Sequence, residues 1–186
     1  GEQSLKKDVL LLIIERLKDE VESPGISRVV LDKIRNRRDV SEIENLNLDV
    51  FSIAEYLIRF FERRMDNLTH LKLQKLLYYA QGIAYGRYNI RLFNEPFLAW
   101  QHGPVIRTVY DKYKIVQGNP ISEDKDIDIS SVVNNDVVIS ILKETISLYG
   151  IYSAWTLRNK THNESPWSET EQSEEIADEK IINYFR

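Results

Sequence analysis

Apolar residues in the middle of this chain recur at the three- and four-residue spacing of an α-helix. One stripe contains Ile53 and Leu57, and a second contains Leu73, Leu77 and Ala80. This spacing places the apolar side chains on one face of each helix, which must pack against another element. No comparable alternating run indicates a strand. The sequence therefore predicts an all-α, compact multi-helix globular domain, with one short β-hairpin as the only exception allowed.

Local signals predict where the helices begin. Ser52 and Glu55 have the spacing of a capping box, in which each side chain satisfies a free backbone N–H of the other. Thr69, Asn135 and Ser173 can each cap a later helix through a side-chain oxygen. We therefore expect helix starts at these four places.

A further helix start is expected at Gly103-Pro104, because proline is tolerated in the first turn of a helix.

The N-terminal part is predicted to be separate from the rest. Ser4 can cap a helix to about Val21, Pro24-Gly25 breaks it, and Ser27 can cap a shorter helix. We therefore predict an N-terminal helical extension over residues 1–48 and a main domain over residues 49–186. The apolar run at residues 9–14 is expected to pack on that domain or to contact a partner and help select it.

Composition excludes several classes of protein. The 186 residues include no cysteine, so disulfides and thiolate metal sites are absent. The longest apolar run has only six residues, whereas a membrane-spanning helix needs about 20. No nucleotide-binding glycine loop or catalytic elbow is present. We expect a soluble, cytoplasmic protein with no cofactor, no metal and no catalytic activity.

One enzymatic alternative stays open at this point. His102, His162 and Glu164 are residue types that could hold a metal in a hydrolase, but they lack the spacing of a helical zinc motif.

Charge is distributed unevenly along the chain. Residues 51–115 carry a net charge of +5, whereas residues 116–186 carry −7. The basic middle could bind nucleic acid through phosphate contacts, which makes a regulator of its own operon the alternative function. It could equally be neutralised by the acidic tail within the fold. The overall pI of about 5.5 argues against a dedicated nucleic-acid domain.

Three blocks of sequence carry a resemblance. The first is residues 68–82, LTHLKLQKLLYYAQG, and the second is residues 99–105, AWQHGPV. The third is residues 161–167, THNESPW. In this order and spacing the blocks resemble the Panacea antitoxin domain, a SocA-like family often found in prophages. The similarity covers about residues 51–167.

The resemblance implies that this chain is the antitoxin of a toxin–antitoxin system. Such a protein neutralises a cognate protein toxin, encoded next to it, by direct protein–protein binding. The resemblance also implies an all-helical core and no catalysis.

The blocks supply ten candidate partner-binding residues. Tyrosine and tryptophan are frequent at interfaces, although helical spacing also allows Gln74, Tyr78 and Tyr79 to close the core. His162 and Trp167 could likewise hold their loop by internal contacts rather than border a partner-binding groove. The candidates are Gln74, Tyr78, Tyr79, Trp100, His102, Gly103, Pro104, His162, Glu164 and Trp167.

Overall fold

The computed structural model describes residues 43–186, which belong to one structural unit. The two helices predicted within residues 4–34 lie outside the described residues. The described part is mostly helical, with two small two-stranded sheets. Its helices are α1 (Val50–Arg63), α2 (His70–Ile83), α3 (Arg107–Tyr113), α4 (Ser130–Val133), α5 (Asp136–Tyr149), α6 (Ala154–His162), α7 (Ser165–Ser168) and α8 (Asp178–Phe185). Its strands are β1 (Glu44–Asn45), β2 (Ile90–Arg91), β3 (Leu98–Trp100) and β4 (Gly103–Val105).

Helix α2 is the central element of the fold. The Thr69 hydroxyl accepts a hydrogen bond from the Lys72 backbone N–H, which confirms the predicted cap. Every residue from Leu73 to Ile83 is buried, so α2 packs against neighbours on all sides rather than along one stripe. Helices α1, α5, α6 and α8 and strand β4 all contact it. A π-helical segment, Ala84–Tyr88, continues α2.

The predicted capping box at Ser52 is wrong, because α1 begins two residues earlier. Asp49 is the N-cap and accepts a hydrogen bond from the Phe51 backbone N–H. The Ser52 hydroxyl instead donates to the Asp128 carbonyl, 2.8 Å away. Glu55 is fully buried and accepts hydrogen bonds from the Arg59 side chain and the Asp124 backbone. Both box residues therefore tie α1 to the later loop.

Residues 44–48 run alongside the segment that follows the π-helical turn. Strand β1 is parallel to β2, and backbone hydrogen bonds join Glu44 to Asn89, Leu46 to Arg91 and Leu48 to Leu92. These residues thus contact the main domain directly. The division of the chain at residue 48 stays a prediction, because residues 1–42 lie outside the described part.

The expected helix start at Gly103-Pro104 is also wrong, because these residues form β4. Strand β4 pairs antiparallel with β3 through a tight turn, and α3 begins only at Arg107. This hairpin is the one short exception that the all-α prediction allowed.

The last helix begins later than predicted. Ser173 has a positive φ of 71° and donates its backbone N–H to the Ala99 carbonyl, so it belongs to a turn beside β3. The N-cap of α8 is Ala177. Long-range backbone hydrogen bonds outweigh the local capping preference here.

Helices α5 and α6 form a bent pair that covers α2. The Asn135 side chain accepts hydrogen bonds from two backbone N–H groups, which confirms the predicted cap of α5. Ser153 caps α6 in the same way. Lys72 Nζ donates to the Gly150 carbonyl at 2.7 Å, which anchors the corner between the two helices to α2.

No single helix within residues 43–186 is long and apolar enough to cross a membrane. Only the bent pair α5–α6, with its two helices taken together, passes the same test.

Candidate partner-binding site

Gln74 fastens the end of the hairpin to α2. Its Nε2 donates to the Ile106 carbonyl at 3.1 Å, and its Oε1 accepts from the Ile106 backbone N–H at 2.8 Å. Gln74 is buried, so the two hydrogen bonds replace the water that its amide would otherwise bind. Gln74 therefore serves the core rather than the surface.

Lys75 lies under the turn of the hairpin with no solvent exposure. Its Nζ donates to the Pro104 carbonyl at 3.0 Å. Gly103 covers the amine with a φ of +104°, and a Cβ atom there would lie 2.6 Å from Lys75 Cε and 2.7 Å from Thr161 Oγ1. Only glycine accepts both this backbone angle and this close approach. The glycine of the second block thus leaves the space that the lysine side chain of the first block occupies.

Burial weakens the positive charge of Lys75. Desolvation disfavours the ammonium, and the nearby Arg158 guanidinium adds repulsion, so that the pKa of Lys75 falls to about 7.

Tyr79 and Glu164 join the first block to the third. Tyr79 Oη donates to Glu164 Oε2 at 2.9 Å, and the Tyr79 ring stacks on Tyr149 with centroids 3.7 Å apart. Burial raises the pKa of Glu164 to about 7, although the hydrogen bond from Tyr79 lowers it in part. The carboxyl group thus belongs to the packed interior between α2 and α7.

The second and third blocks are joined by their tryptophans. Trp167 Nε1 donates to the Trp100 carbonyl at 2.8 Å. His162 stacks flat on Trp167, with centroids 3.7 Å apart and planes 5° apart. Burial and then the Arg158 charge lower the pKa of His162, which favours the neutral imidazole. The two loops therefore form one connected surface.

The ten predicted residues are divided between the interior and this surface. Burial confirms the core interpretation for three of them, Gln74, Tyr78 and Tyr79. Gly103, Pro104 and Glu164 are also buried, whereas Trp100, His162 and Trp167 are half-buried and only His102 is exposed. All ten are connected through α2, the hairpin and residues 161–167. Their role in partner binding stays a prediction.

Sequence reasoning missed four residues of this region. Lys75 and Thr161 are buried beneath Gly103, and Trp155 and Arg158 lie at the surface beside His102. A lysine inside a leucine-rich helical stripe was the available signal for Lys75. The three-residue spacing of Trp155 and Arg158 was the signal for a stacked pair on one helix face.

Metal chemistry finds no support in the described part of the chain. Within residues 43–186 no three His, Cys, Asp or Glu side chains are grouped so that they could hold a metal ion.

One comparison with known proteins identifies a family. The model of the family described as antitoxin SocA-like, Panacea domain, matches residues 73–168, a span that contains all ten predicted residues. No curated protein and no solved structure matches the chain.

Proposed function

The chain belongs to the family of SocA-like antitoxins with a Panacea domain, and from that premise we propose that it is the antitoxin of a toxin–antitoxin system. Its partner is a protein toxin encoded next to it. One observation carries the proposal. The family match spans the residues whose hydrogen bonds join α2, the hairpin and residues 161–167.

Neutralisation is proposed to be direct and stoichiometric. The antitoxin binds the folded toxin and covers its active site or substrate entrance. Lys75 and Glu164, whose pKa values are both shifted to about 7, are buried and engaged in hydrogen bonds, so neither faces solvent where a substrate would arrive. This placement supports a binding protein rather than an enzyme. We propose that it acts in the cytoplasm.

The surface offered to the toxin is proposed to include His102, Trp100, His162 and Trp167. Trp167 is held by its hydrogen bond to the Trp100 carbonyl, and His162 is held by stacking on Trp167. Side chains that are already ordered lose little conformational entropy on binding. The buried residues of the blocks hold this surface in shape.

Nucleic-acid binding is the weaker alternative, because many cations of the basic middle segment are paired within the fold. Arg59 pairs with Glu123 at 3.6 Å, and Arg91 pairs with Asp178 at 2.6 Å. Arg87 pairs with Glu144. The acidic tail therefore neutralises part of the middle segment, and fewer cations remain to contact phosphates.

Co-expression tests the proposal. Each open reading frame next to this gene is induced alone and together with the full chain, and growth and affinity capture are measured. We expect one product to arrest growth, and the full chain to restore growth and to form a stable complex with it. If no neighbouring product is toxic, or if growth is not restored, the antitoxin function is wrong.

A duplex-DNA titration at several salt concentrations tests the alternative. Phosphate binding would give an affinity that falls steeply as salt rises.

A further inference from the structure

Four basic residues crowd together around the turn of the hairpin. Arg158 repels both Lys75 and His162, and His102 adds to the positive potential at His162. Within residues 43–186 no ion pair involves Lys75 or Arg158, whereas other cations of the chain find carboxylates. Glu164 is close in sequence, but its carboxyl group is turned into the interior toward Tyr79. Arg158 is thus a cation that no carboxylate of the described residues balances.

Arg158 is incompletely satisfied by its surroundings. Its Nη1 donates to the Asn159 side-chain oxygen at 2.9 Å, while its Nε is buried and has no hydrogen-bond partner. A guanidinium carries five N–H donors in a planar fork that matches a carboxylate. A buried donor without an acceptor is costly, so an incoming acceptor would be bound favourably.

An exposed tryptophan lies against this arginine. Trp155 is 57% exposed, and the Arg158 guanidinium carbon lies 4.6 Å from its ring centroid. The centroid of the His102 ring, in the turn of the hairpin, lies 6.2 Å from the Trp155 ring centroid. Exposed tryptophan and arginine are the residue types that contribute most to protein interfaces.

We propose that His102, Trp155 and Arg158, here called the basic-aromatic surface, dock a protein segment that carries a carboxylate side chain next to an apolar one. The inference rests on the proposed antitoxin function and specifies the chemistry of the toxin at the contact. The carboxylate balances Arg158 and its cationic neighbours, and the apolar side chain covers Trp155.

The positive charge of Arg158 favours a partner with an acidic group. The exposed Trp155 ring favours a protein, which can cover the ring with an apolar side chain. A nucleic-acid phosphate would satisfy Arg158 but would leave the exposed Trp155 ring uncovered. A protein segment satisfies both requirements at once, because acidic and apolar side chains can follow each other along one helix face or strand.

The experiment uses the full chain and the toxin found by co-expression. Binding is measured by calorimetry for the wild type, Arg158→Glu, Arg158→Gln and Trp155→Ala. Matched controls are Arg63→Glu and Met65→Ala, an exposed basic and an exposed apolar residue at the end of α1. Thermal unfolding of each variant verifies that it is folded, and Arg158→Gln removes the charge with the smallest change of shape.

We expect Arg158→Glu to weaken binding about 100-fold and Trp155→Ala about 30-fold, as is usual for central interface residues. Both controls should stay within about threefold of the wild type. Changing one acidic residue of the toxin to lysine should restore binding to Arg158→Glu.

Binding by both site variants within threefold of the wild type would overturn the inference and leave the antitoxin function standing. Loss of duplex-DNA binding with retained toxin binding would also overturn it, because the surface would then serve nucleic acid. Binding and neutralisation by the wild-type protein test the antitoxin function independently of the variants. If the wild type neither binds nor neutralises a neighbouring product, both proposals are wrong.

Discussion

Lys75 Nζ donates a 3.0 Å hydrogen bond to the Pro104 carbonyl from a position with no solvent exposure. This contact joins the first and second sequence blocks through two residues that are 29 positions apart. It also explains why a lysine can lie in the middle of an apolar helix, since the hairpin supplies the acceptor that burial takes away. The hairpin is therefore positioned by α2.

Gly103→Ala should destabilise the protein strongly. A φ of +104° is unfavourable for any residue with a Cβ atom, and that atom would collide with Lys75 and Thr161. We expect a loss of about 3 kcal/mol in the free energy of unfolding, measured by urea denaturation. Gly118→Ala is the control, because nothing lies within 4 Å of its added methyl group. Equal free energies of unfolding for the two variants would contradict the close packing of Lys75 beneath Gly103.

Glu164 should make stability fall as pH rises from about 4.5 to about 7. The folded state raises the pKa of this carboxyl group from its ordinary 4.5 to about 7, so the folded state binds the proton more tightly than the unfolded state. The contribution is complete below pH 4.5 and is lost as the pH passes the folded pKa. Each pKa unit corresponds to about 1.4 kcal/mol, so wild type and Glu164→Gln should diverge by about 3 kcal/mol across this range.

The measurement is urea denaturation at half-unit steps of pH. Glu171→Gln, which changes an exposed carboxylate, is the control and should track the wild type. A Glu164→Gln curve parallel to the wild type at every pH would refute the assignment.

Trp167→Phe should separate packing from hydrogen bonding in the third block. Phenylalanine keeps an aromatic ring beside His162 but cannot donate to the Trp100 carbonyl. We expect a loss of about 1 kcal/mol in stability and weaker toxin binding. Trp155→Phe is the matched control for stability, because Trp155 is exposed and should change the unfolding free energy by less than about 0.5 kcal/mol. Unchanged stability of Trp167→Phe would show that the hydrogen bond contributes nothing.

Gly86→Ala and Phe185→Ala should act on the same contact. A Cβ atom at Gly86 would lie 2.6 Å from the Phe185 carbonyl carbon, and the Phe185 ring packs against Tyr78 and Gly82. Each change should cost about 2 kcal/mol, and the double variant should cost far less than both together, because either one already undocks the end of α8. Asn183→Ala on the exposed side of α8 is the control. Fully additive losses in urea denaturation would rule out the shared contact.

Removing residues 1–42 should leave the main domain folded. The remaining chain keeps the backbone hydrogen bonds of Glu44, Leu46 and Leu48 to the segment after the π-helical turn. Removing residues 1–48 deletes these three bonds and should lower stability by about 3 kcal/mol in thermal unfolding. If the N-terminal part selects the toxin, both truncated proteins should neutralise it less well than the full chain. Full neutralisation by residues 43–186 would exclude a selective role.

Local features of the fold could be predicted because they depend on neighbouring residues. The stripe from Leu73 to Ala80 identified α2, and Thr69 and Asn135 identified two helix starts, since a cap needs only the backbone three positions away. The same local reasoning was wrong at Ser52 and Ser173. The Ser52 hydroxyl, which a local cap would have used, instead donates to the distant Asp128 carbonyl. At Ser173 a backbone hydrogen bond to the distant Ala99 holds the chain in a turn.

The sequence by itself determined the helical class and the order of the three blocks that assign the family. Both are properties of residues close together along the chain. Only the tertiary structure decided that Tyr78 and Tyr79 are buried, that Gly103 lies over Lys75, and that Trp155 is exposed beside Arg158. These outcomes depend on contacts between residues tens of positions apart, because burial is decided by which elements pack together and not by the spacing within any one of them.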